Sequence, residues 1–138
     1  MNFGRWFLMI ALCGTLSACR NAGPAPPAGT GAREAVTEFF EALARQDWDA
    51  AFGQLHADTK KQFDRAAFER AARDYCQRFG FPFGKVTIRS CDEQGEKAIA
   101  QVVLSDAKGS VKHRYREGAV LQKGANGWGI VLSSNFGP

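Results

Sequence analysis

The sequence predicts an α+β domain in which N-terminal helices cover one face of an antiparallel sheet of about four strands. Two observations carry this. Apolar residues recur at helical spacing from Ala32 to Phe79, and after Pro82 the period changes to two. Glycine-bearing turns then punctuate the second half at Gly95, Gly109 and Gly124 to Gly127, as short hairpin connections require.

The first helix begins at Ala32, with Val36, Phe39, Phe40 and Leu43 on one stripe. Asp47 reads as the N-cap of a second, short helix whose stripe is Trp48, Ala51, Phe52 and Leu55. The polar stretch His56 to Gln62 breaks the pattern and reads as a loop, in which His56 and Asp58 serve as a cap or as an acid–base or metal pair. Asp64 caps a third helix. Phe63 and Phe68 flank it at the spacing of a hydrophobic staple, and Ala71, Ala72, Tyr75, Cys76 and Phe79 continue its apolar stripe to Gly80. Strands follow over Lys85 to Cys91, Lys97 to Ser105, Val111 to Lys123 and Trp128 to Asn135.

The first 31 residues have a different character. One positive charge at Arg5, an apolar run from Trp6 to Leu12 and small residues before Cys19 are the parts of a secretory signal, and the run is too short to span a bilayer. Leu16-Ser17-Ala18-Cys19 resembles the bacterial lipobox. The resemblance implies cleavage before Cys19 and lipid on its sulfur. With more than one acyl chain the anchor is stable, because each buried CH₂ contributes roughly 0.8 kcal/mol. Arg20 after the cysteine favours the outer membrane, facing the periplasm. The organisation read here is residues 1–18 as signal, 19–31 as lipidated cysteine and flexible Pro/Gly/Ala linker, and 32–138 as the folded domain. A linker of that length places the domain roughly 20 Å from the lipid.

The folded part also carries a family signature. A helix running into Arg45-Gln46-Asp47-Trp48-Asp49-Ala50-Ala51-Phe52, two short helices, and a meander closing on Gly127-Trp128-Gly129-Ile130-Val131 resemble the NTF2-like (cystatin-like cone) superfamily, in particular the DUF4878-type lipoproteins. The resemblance spans about Ala32 to Phe136, with Gly129 standing where the family usually has Lys. It implies a strongly curved sheet wrapped over a long helix to leave a cone-shaped cavity. Some members of the superfamily are enzymes, such as the ketosteroid-isomerase-like proteins, and many only bind ligands or partners or dimerise through the outer sheet face. Fold alone does not choose among these.

Composition narrows the function further. The formal net charge is +4, and Arg5 and Arg20 lie outside the folded part, which disfavours a nucleic-acid binder. Four cysteines are present. With Cys13 removed and Cys19 lipidated, Cys76 and Cys91 remain as a pair, most simply a disulfide in an oxidising compartment. A loop of about 15 residues makes such a bond worth roughly 3 kcal/mol in the chain-entropy account. In the third strand Val111, His113, Tyr115, Ala119 and Leu121 share one face, with Glu117 toward its far end, and Lys112, Arg114 and Arg116 share the other. His113 and Tyr115, joined by Tyr75 and Trp48, are the residues expected at the cavity. The cationic row reads as a solvated face or an anion patch. No phosphate loop, nucleophile elbow or metal-ligand spacing appears, and no cofactor is implied. The expectation is a lipid-anchored, non-catalytic domain that binds a small apolar ligand or an envelope protein. An isomerase- or hydrolase-like enzyme using His113 and Tyr115, and an assembly domain or homodimer, are the alternatives.

Overall fold

The computed structural model describes residues 29–134 and Phe136, so the lipobox with Cys19 lies outside the described residues. Four helices precede four strands: α1 (Ala32–Ala44), α2 (Trp48–Gly53), α3 (Ala57–Gln62), α4 (Arg65–Gln77), β1 (Lys85–Gln94), β2 (Lys97–Ser105), β3 (Arg114–Gly124) and β4 (Gly127–Val131). The strands form one antiparallel sheet in sequence order, and α1 lies across it. No described helix is long and apolar enough to cross a membrane.

The caps follow from residue chemistry. The Asp47 side chain accepts from Ala50 N at 3.1 Å and that of Asp64 from Ala67 N at 2.7 Å, so both helix starts sit where the sequence places them. The stretch His56 to Gln62 is corrected: it is helix α3, with His56 as its N-cap accepting from Asp58 N at 3.3 Å. It has no apolar stripe to betray it, because it is held through its backbone instead. His56 N donates to Ile130 O at 2.9 Å, and Ile130 N donates to Gln54 O at 2.8 Å. His56 is therefore a structural residue.

Residues 29–31 are not free linker. The Glu93 carboxylate on β1 accepts from Thr30 N at 3.0 Å, from Thr30 Oγ1 at 2.8 Å and from Ala32 N at 3.3 Å. Trp128 Nε1 donates to Thr30 Oγ1 at 2.8 Å. Gly31, the N-cap position of α1, has no side chain to offer, so a carboxylate from the sheet satisfies the orphan N–H groups. The backbone N–H and hydroxyl of Thr30 hold the Glu93 carboxyl below its ordinary value. A carboxyl depressed by folding adds stability above the unfolded pKa, and that stability is lost as pH falls through the folded pKa. Glu93→Gln is thus expected to lower the melting temperature at pH 7 and to change it little at pH 3, as read by thermal melts at both pH values.

β3 begins at Arg114 rather than Val111, because the β2–β3 connection closes on Asp106. Asp106 accepts from Ser110 N at 2.8 Å and meets His113 Nδ1 at 3.0 Å, and Gly109 N donates to Asp106 O at 2.9 Å. Those local bonds replace the ladder that residues 111–113 would have made. β4 ends at Val131, after which the chain turns inward and buries Phe136 against Phe39, Phe68 and Tyr75.

Cys76 on α4 and Cys91 on β1 are both free thiols in this structure. The helix packed on β1 is α1, so Cys91 faces Arg33 and Glu34 while Cys76 lies beside Tyr75. Burial pushes the Cys76 thiol up to about 11 and raises that of Cys91 as well.

Candidate functional site

Along the inner face of β3, exposure rises steadily. Leu121 is sealed, Ala119 is buried, Glu117 is half-buried and Tyr115 is exposed. This gradient is the wall of a cone. Phe39 and Phe40 of α1 form the opposite wall, with Tyr75 of α4 and the following Phe79 beside them. Ile130 of β4 and the inturned Phe136 close the base. The space enclosed is about 250 Å³.

One hydrogen-bonded side-chain pair is set in this mainly aromatic and aliphatic lining, which also includes Arg78, Tyr115 and Ser133. Tyr75 Oη donates to Glu117 Oε2 at 2.9 Å. The Tyr75 ring is fixed on three sides: Phe136 lies at 4.7 Å, Phe79 meets it edge-on at 5.0 Å, and the Arg78 guanidinium covers it at 5.5 Å. Burial, reinforced by the Glu117 carboxylate, drives the Tyr75 phenol far above its ordinary value. Its hydroxyl therefore stays protonated and remains a donor across the whole physiological range. Tyr115 packs on Phe79 at 4.6 Å and marks the mouth.

Of the residues expected here, the structure brings Tyr75 and Tyr115 together. It removes two. His113 does not line the cone: it pairs with Asp106 and stacks on Phe81 at 5.2 Å, because the connection folds away before β3 starts. Trp48 is buried between α2 and α4 under the Arg73 guanidinium at 5.1 Å, and its role is packing. The residue that the sequence undervalued is Glu117. Strand parity put it on the correct face, but its meeting with Tyr75, 42 positions earlier, is set by tertiary packing. Among the described residues no group of three metal-ligating side chains comes together.

Two solved structures are similar to this one in fold. A protein from Campylobacter jejuni described as an NTF2-like transpeptidase superposes with a TM-score of 0.55 at 13% identity, over 73% of this chain and 98% of its own. This chain has an NTF2-like fold. A SEC-C motif containing protein from Rhodopseudomonas palustris is similar at a TM-score of 0.50 and 15% identity, over 67% of this chain and 69% of its own. No family model and no curated protein matches the sequence. At such identities the likeness carries the NTF2-like architecture alone, and the cone must be read from its own side chains.

Proposed function

We propose that the chain is an envelope lipoprotein of the DUF4878 type, anchored through Cys19, whose folded part is a binding domain rather than an enzyme. Its NTF2-like cone takes a small, mostly apolar molecule carrying one cationic or hydrogen-bond-donating group. The observation that carries this reading is the half-buried carboxylate of Glu117, held by Tyr75 in a cavity of about 250 Å³ whose walls are mainly aromatic and aliphatic and whose lining also includes Arg78, Tyr115 and Ser133. Apolar walls supply affinity, and one oriented acceptor fixes the pose. The anchor rests on the Leu16-Ser17-Ala18-Cys19 sequence.

Two features favour binding over catalysis. An isomerase-like site sets its phenolic donor opposite the carboxylate base, where an oxyanion forms. Here the Tyr75 proton is already engaged by Glu117 itself. A transpeptidase or hydrolase pairs a nucleophile with a base, and both histidines of the chain, His56 and His113, are occupied away from the cone. Glu117 as a lone general base is the remaining catalytic reading, favoured by its exposure to the cavity.

Native mass spectrometry of the full chain purified from its own envelope tests this. The expected result is one co-purifying small molecule, displaced by Ala119→Leu, which fills the cone, and held about tenfold more weakly by Glu117→Gln. A preparation that is empty, and that no amphiphilic amine shifts in a thermal melt, would sink the proposal. Turnover of the bound molecule that disappears with Glu117→Gln would replace it with the catalytic reading.

A further inference from the structure

The opposite face of the sheet carries a second concavity, independent of the cone. Across β1, β2 and β3 the outward residues align in rows: Lys85 with Ser105 and Arg114, then Thr87 with Val103 and Arg116. Arg89, two positions beyond Thr87, lies on the same face, and a bulge between Ile88 and Ser90 leaves it without a ladder partner. These side chains line a groove of about 740 Å³. The register thus extends the expected single-strand row into a cluster drawn from two strands, while Lys112 drops out into the β2–β3 connection.

None of Lys85, Arg89, Arg114 and Arg116 makes an ion pair among the described residues. The acid that follows β2, Asp106, is taken up by His113 and Ser110 N. The acid on this face, Asp92, sits at the far end opposite Ile99. Glu117 points to the other side of the sheet, into the cone. Elsewhere the chain does pair its charges: Arg65 and Arg73 both hold Glu69, and Lys61 holds Asp58. Like charges on neighbouring strands repel, so a cluster kept without counter-charge costs stability that a bound anion restores. A second copy of the chain seated here would set cation against cation. Two hydroxyls, Thr87 and Ser105, stand among the cations as neutral donors.

We propose that this groove is a binding site for a ligand bearing two or more phosphate groups. Three guanidinium forks and one ammonium exceed what a single phosphate can engage, and guanidinium matches phosphate oxygens in pairs. The groove is large enough for such a ligand. At its rim Val111 is 79% exposed, where an acyl chain of a phospholipid would lie. The phosphates therefore belong either to a soluble molecule or to lipid headgroups.

The test uses the full chain with Cys19→Ser, tripolyphosphate by calorimetry, and sedimentation with phosphatidylglycerol vesicles against phosphatidylcholine vesicles. Arg114→Gln with Arg116→Gln is expected to weaken binding about tenfold or more. Lys97→Gln with Lys123→Gln, equal in charge but elsewhere, is expected to change it less than about twofold. Thermal melts confirm folding, and Lys85→Gln with Arg89→Gln serves as a second pair if the first does not fold. Tripolyphosphate binding that depends on the groove residues assigns a soluble ligand. Groove-dependent binding to phosphatidylglycerol vesicles assigns lipid phosphate. Failure of both probes, or equal loss in the two sets of variants, overturns the proposal.

Discussion

Gly129→Ala is expected to lower the melting temperature by on the order of 15 °C, read by circular dichroism or calorimetry. A Cβ placed on Gly129 would lie 2.5 Å from His56 Cα, 2.7 Å from His56 N and 3.0 Å from His56 Cβ. Two of those atoms are backbone, so no side-chain rotation relieves the contact. The backbones of α3 and β4 must separate. That breaks the His56 N to Ile130 O and Ile130 N to Gln54 O bonds and the parallel bridge of Leu55 with Ile130. Overpacking together with two lost buried hydrogen bonds amounts to about 3 kcal/mol or more. The close approach of His56 thus accounts for a glycine before Ile130. Gly53→Ala, with nothing within 4 Å of the new methyl, is the matched control and is expected to be near neutral.

The same contact shows why parts of the architecture were legible and parts were not. Local chemistry was readable. Asp47 and Asp64 cap as their side chains require, and β2 runs over the residues whose alternation predicts it. α3 was hidden because its stability comes from a backbone bridge 74 positions away, from His56 to Ile130, and not from an apolar stripe. His113 was misplaced because strand parity holds only while the ladder continues, and Asp106 ends it early by satisfying the backbone locally. In the cone, Tyr115 and Tyr75 could be nominated from pattern. Glu117 could be assigned a face but not a depth, since depth depends on sheet curvature that no short window encodes. Which helix covers β1 is likewise a tertiary fact, and it decides the surroundings of Cys91.

Phe68→Ala carries the other large expected effect, a loss of about 3–5 kcal/mol in urea or thermal unfolding. Phe68 is wholly buried and contacts aromatic rings from three separate parts of the chain: Phe39 on α1 at 6.5 Å, Phe52 on α2 at 5.5 Å and Phe136 of the tail at 5.9 Å, nearly parallel. Truncation removes the transfer energy of the ring and leaves a void that the rigid sheet cannot collapse to fill. Because Phe136 stacks on Phe68 and also lines the cone, the void opens directly behind a wall of the candidate site. A Phe68→Leu variant keeps most of the volume and is expected to lose less than half as much. Ligand affinity in that variant then reports how far the cone depends on Phe136 being held in place.

The clasp of Thr30 between Glu93 and Trp128 determines how the domain bears a load. Any pull delivered through the chain ahead of Gly29 reaches Thr30 before it reaches α1. Both anchoring residues sit at hairpin ends, Glu93 next to the β1–β2 turn and Trp128 next to the β3–β4 turn. The force is therefore shared between the first and last strands of the sheet, and the helix that walls the cone is spared until the clasp opens. The same few hydrogen bonds that cap a helix also work as a strain relief, of the kind that keeps a cable from tearing at its socket.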